Sequence, residues 1–61
     1  MYFQSKDQQV KIVWQSTDKC NFTWGLFVQG KFKRSQRVPK GSKKVVDTFG
    51  FSQKDFELRV V

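Results

Sequence analysis

Apolar and polar residues alternate along most of this chain, and a period of two marks β-strands whose two faces meet different surroundings. In VKIVWQS, Val10, Ile12 and Trp14 point one way and Lys11, Val13 and Gln15 the other. TDKCN then reads as a turn, because Asp and Asn side chains hydrogen-bond to nearby backbone. In FTWGLFVQGKFKR, Phe22, Trp24, Leu26, Val28 and Phe32 share one face, and Thr23, Gln29, Lys31 and Lys33 the other. Gly30 interrupts the run. It predicts a bulge or tight bend, hence one long bent strand or two strands with a kink between them.

VPKGS carries turn chemistry, with Pro39 presetting φ at the second position and Gly41 suited to the fourth position of a type I turn. KKVVDTFGF predicts a further strand, with Val45, Phe49 and Phe51 on one face and a bend at Gly50. SQKD turns the chain. FELRVV alternates most cleanly, with Phe56, Leu58 and Val60 inward and Glu57 and Arg59 outward. A helix capped at Ser52 competes for this segment, but its β-branched residues and alternation favour a strand. The pattern therefore predicts an all-β fold, a small antiparallel barrel or half-sandwich of four to six strands with no helix. A strand pattern that reaches Val61 predicts a C-terminal strand that is central, or paired with another chain.

The chain has 61 residues and fits one domain. Domains this small bury only about 60% of the surface their unfolded chain exposes, so they need a dense core, a staple or a partner. Cys20 is the only cysteine, which excludes an internal disulfide. With no histidine, the chain lacks the ligand set of a structural zinc site. Seven Phe, two Trp and one Tyr supply the core instead. The segment YFQS matches the tail of a protease site used to remove tags. Residues 1–5 are accordingly set aside as a cloning remnant or N-terminal extension, leaving residues 6–61 as a single small β domain.

Twelve Lys and Arg against five acids give a net charge of +7, which bears on partners rather than fold. Seven basic residues and no acid fall within KFKRSQRVPKGSKK: Lys31, Lys33, Arg34, Arg37, Lys40, Lys43 and Lys44. If VPKGS closes a hairpin, this charge gathers at one end of the domain as a polyanion site, because Lys and Arg supply most of the sequence-independent affinity for phosphates. Phe27 and Phe32 are the candidate stacking partners for bases. The competing reading is that the lysines solvate the domain and guard a strand edge.

Enzymatic chemistry is not expected. The commonest general base is missing, and Cys20 has only Lys19 beside it to lower its pKa. Of the acids Asp7, Asp18, Asp47, Asp55 and Glu57, only Asp55 and Glu57 lie close together, at a turn. GKFKRS lacks the spacing of a phosphate-binding glycine loop, and Asn21-Phe22-Thr23 fits a glycosylation acceptor only in a secreted setting. No cofactor and no metal site is expected. No apolar run approaches the ~20 residues of a transmembrane helix. The lone cysteine favours a reducing compartment such as the cytoplasm over secretion.

Cys20, Phe22, Thr23, Trp24, Gly30, Gly41, Ser42 and Val45, followed by Phe56 and Arg59, occur in an order that resembles the N-terminal segment of thaumatin-like proteins. The resemblance covers about residues 10–59 and implies an all-β sandwich topology in a secreted defence or carbohydrate-binding setting. That family is several times longer and held by many disulfides, whereas this chain has one cysteine. VKIVW faintly resembles the first strand of cold-shock domains.

The leading functional expectation is a non-catalytic binding module for a polyanion, nucleic acid foremost, through the seven basic residues. The alternatives are a protein-interaction or self-assembly module that pairs strand edges, including a homo-oligomer, and an extracellular lectin-like or membrane-active module.

Overall fold

The computed structural model describes residues 1–60. It forms one antiparallel sheet of five strands: β1 (Tyr2–Ser5), β2 (Val10–Thr17), β3 (Asn21–Val28), β4 (Lys31–Pro39) and β5 (Phe56–Arg59). Their order across the sheet is β4-β3-β2-β1-β5. The expected small antiparallel all-β fold of four to six strands is what the chain adopts, with β4 and β5 at the two edges.

Between β4 and β5 the chain crosses one face of the sheet through a short helix, α1 (Val45–Thr48), and a 3-10 turn at Gln53–Asp55. This crossing supplies the second layer. Val45, Val46 and Phe49 are buried with Ile12, Trp24, Leu26, Val38 and Phe56, while Phe3, Val10, Phe22, Val28 and Phe51 pack around them.

The strand expected over KKVVDTFGF is thus a helix. Val45, Val46 and Phe49 are spaced for one side of a helical turn, as well as Val45, Phe49 and Phe51 are for a strand. Gly50 decides between them. Its φ of +87° suits the residue that ends a helix, and the backbone closes the matching pair of bonds. Gly50 N–H donates to the Asp47 carbonyl at 2.9 Å, and Phe51 N–H to the Val46 carbonyl at 3.3 Å. At the other end, Ser42 Oγ accepts from Lys44 N–H at 3.2 Å.

Gly30 marks a reversal rather than a bulge. Gln29 and Gly30 both have positive φ (51° and 80°), the signature of a two-residue type I′ hairpin turn. The chain therefore runs as two strands, β3 and β4, not one bent strand. The bulge lies nearby: the β3–β4 register shifts between Leu26↔Arg34 and Phe27↔Phe32, leaving Lys33 as the extra residue. Turn and bulge together move Phe32 off the Trp24–Leu26 face expected for it and put it opposite Phe27.

Tyr2–Ser5, set aside on sequence grounds, is an inner strand between β2 and β5. Phe3 packs on Trp24 with ring centroids 5.4 Å apart. Buried Ser5 donates to Asp7 Oδ1 at 2.6 Å and accepts from Val10 N–H at 3.0 Å, which fixes the β1–β2 turn. The C-terminal strand β5 is an edge strand rather than a central one.

Candidate functional site

The crossing covers only one face of the sheet. Cα partners across a sheet share a face, so the register gives the composition of the other. One row runs Glu57–Gln4–Lys11–Phe27–Phe32 and the next Arg59–Tyr2–Val13–Gly25–Ser35, with Thr23 and Arg37 paired beyond them. This open face carries three aromatic rings: Tyr2, Phe27 and Phe32. Lys11 Nζ stands 5.1 Å from the Tyr2 ring centroid. Phe27 and Phe32 meet edge to face at 5.5 Å, and Phe32 stays 54% exposed.

The seven predicted basic residues do not form one cluster. The hairpin expected at VPKGS is absent, because helix α1 follows the turn instead of a returning strand. The turn itself is displaced by one residue: Ser42 N–H donates to the Pro39 carbonyl at 2.9 Å, so Pro39 opens the turn and Gly41 is its third residue. Lys31 to Pro39 is a single strand. At ~3.3 Å per residue, it carries Lys31 and Lys40 to opposite ends of a molecule whose longest dimension is 33 Å.

Individual roles separate accordingly. Arg34 is engaged by the covered face: its guanidinium lies 4.9 Å from the Phe49 ring centroid and donates to the Phe49 carbonyl at 3.3 Å, beside the end of α1. Lys40 Nζ sits 5.8 Å from the Phe22 ring. Lys43 and Lys44 lead into α1. Arg37 and the bulge residue Lys33 line the β4 side of the open face and Lys11 stands at its centre, whereas Lys31, opposite Val28, falls on the covered side at the hairpin end. The sequence reading missed Lys11 and Tyr2. Lys11 alternates with Ile12 on a strand with one buried face, and that alternation alone points it outward.

The only ion pair among the described residues joins Glu57 and Arg59 on this face, at 3.0 Å. Among the same residues, Lys11, Lys31 and Lys33 are in no ion pair, and Arg37 reaches only the more distant field of Asp18. Asp18 lies at the far end of the sheet, where its carboxyl is held below the ordinary aspartate range. The causes are hydrogen bonds from Asn21 and Cys20 N–H (2.7 and 3.0 Å) and, less strongly, Arg37 and Lys40.

Two concave regions lie elsewhere. A cleft of about 340 Å³ opens between the β1–β2 turn and Phe51–Phe56, and includes Asp7 and Asp55. An apolar groove of about 460 Å³, lined by Met1, Trp14, Phe22, Trp24 and Val60, lies on the covered side where the crossing does not reach. No group of three or more metal-ligating side chains occurs among the described residues, and no helix there is long and apolar enough to cross a membrane. Comparison with protein-family models, with curated proteins and with solved structures finds no match to this chain.

Proposed function

We propose that this domain binds single-stranded nucleic acid on the open face of its sheet. The observation that carries the reading is the Phe27–Phe32 pair on the uncovered face, half-exposed at Phe32 and flanked by Lys11 and Lys33, with Arg37 two rows further along the same face and none of the three in an ion pair among the described residues. Bases stack on aromatic rings whatever their sequence, and cations beside the rings hold the phosphates. A flat antiparallel sheet with aromatic side chains is one of the surfaces proteins use to splay unpaired bases. Duplex binding would use the charge but leave the rings idle, so the single strand is the preferred ligand. Phosphate contacts release counterions, which makes the affinity fall as salt rises.

The test is fluorescence anisotropy of a labelled single strand and its duplex across a salt series, with Lys33→Glu/Arg37→Glu as control. Arg34 is left intact because it supports α1. The expected result is tighter binding of the single strand, weakening with salt and lost in the control. Binding that ignores salt, or none at low salt, would reject the proposal.

A further inference from the structure

The two edges of the sheet are built differently. β4 carries Lys31, Lys33, Arg34 and Arg37 along its nine residues, the kind of charge that keeps an exposed edge from pairing with other strands. β5 is guarded differently: its two charges, Glu57 and Arg59, are of opposite sign, Leu58 between them is 52% exposed, and Val60 just beyond the strand is 76% exposed. Its backbone is also oriented for pairing. Lys6 N–H donates to the Asp55 carbonyl at 2.9 Å. Antiparallel pairs alternate between bonded and non-bonded, so the register makes Gln4↔Glu57 and Tyr2↔Arg59 the bonded pairs with β1. Leu58 N–H and C=O therefore point away from β1, out of the sheet edge.

We propose that β5 docks onto β5 of a second copy of this chain, antiparallel, about a two-fold axis at Leu58. The strand is self-complementary in that register, as a two-fold interface requires. Leu58 meets Leu58 of the second copy, and the two outward backbones exchange a reciprocal pair of N–H···O bonds. Glu57 then faces Arg59 of the other copy, and Arg59 faces its Glu57, giving two opposite-charge pairs. A parallel pairing, or a shift by one residue, loses both. On the covered side Leu58 lies opposite Phe3, and Val60 shares a groove with Met1 and Trp14, which are also exposed. The dimer brings both copies' apolar strips together and makes one ten-stranded sheet. This inference is independent of nucleic-acid binding, which uses β1 to β4.

The experiment is sedimentation equilibrium from about 1 µM to about 1 mM, the range in which interfaces of this small size dissociate. The expected result is a monomer–dimer equilibrium. Glu57→Arg and Arg59→Glu, each placing like charges opposite, should raise the dissociation constant about tenfold. The combined swap Glu57→Arg/Arg59→Glu restores opposite pairing and should return it to within about threefold of the starting value. Leu58→Asp, at a half-exposed position, should abolish the dimer while circular dichroism reports an unchanged fold. A monomer at the highest concentration, a dimer indifferent to the single reversals, or a combined swap that fails to recover would each overturn the proposal.

Discussion

Phe32 is a half-exposed aromatic side chain on a basic strand, supported from one side by the edge of Phe27. Such a pair is worth about 1 kcal/mol beyond its buried area, so Phe32→Ala should lower stability by about that much in urea denaturation. Its effect on oligonucleotide affinity should be larger than its exposed position suggests, about tenfold, because a stacked base is lost with the ring. Lys33→Glu should separate the two effects, weakening binding and leaving the denaturation midpoint in place. Asp7 and Asp18 act at the opposite ends of β2. Ser5 Oγ–H and Gln9 N–H donate to Asp7, and Asn21 and Cys20 N–H to Asp18, so both carboxyls are held below the ordinary aspartate range. A depressed folded-state pKa contributes stability that is complete above the unfolded value and is lost as pH falls through the folded one. Carboxyl titration by NMR should therefore place both groups below ~3.9, with the denaturation midpoint falling as pH drops from about 4 toward 2. Equal stability across that range would contradict the role given to these turns.

The strands were legible wherever one face is buried and the other wet. Val10–Ile12 and Phe22–Leu26 alternate because the covered face needs apolar side chains at every second position, whereas in Phe56–Leu58 only Phe56 is buried. Sequence reasoning failed where two periods fit the same letters. Val45, Val46 and Phe49 satisfy a helical turn as well as a strand, and only the backbone of Gly50 distinguishes them. Gly50→Ala is a direct test of that account: a Cβ at φ +87° costs roughly 1 kcal/mol, without steric conflict, since nothing lies within 4 Å of its position. Denaturation should show that loss, and a neutral outcome would mean that the helix end is not held by Gly50. The basic segment was legible as charge but not as a shape. Its seven residues read as two arms of a hairpin only if VPKGS is followed by a strand. Once α1 takes that place, Arg34 turns to Phe49, Lys40 to Phe22, and the charge spreads along an edge. The open face was harder to see because its members, Tyr2, Lys11, Phe27, Phe32 and Arg37, come from four strands and meet only through register.

At the scale of the molecule, one thin core carries the fold. Ile12, Val38 and Val46 are its fully buried side chains. A chain of this length has roughly 3–9 kcal/mol of total stability at the usual 0.05–0.15 kcal/mol per residue. Truncating Ile12 to Ala, at about 2–5 kcal/mol, should therefore remove roughly half of that stability and lower the urea midpoint accordingly, read by circular dichroism; a midpoint unchanged from the starting protein would mean that the crossing layer repacks. The same thinness explains the division between the faces: the segment from Val45 to Phe56 covers one side, and the other stays open, where the proposed ligand would bind. The most direct test of that division is an amide chemical-shift titration of the protein with a short single-stranded oligonucleotide at low salt. The account predicts shifts that follow the open face, at Tyr2, Lys11, Phe27, Phe32, Lys33 and Arg37, and that collapse on adding salt. Shifts confined to the Trp14–Trp24 groove or to Lys43 and Lys44, or no shifts at all, would contradict it.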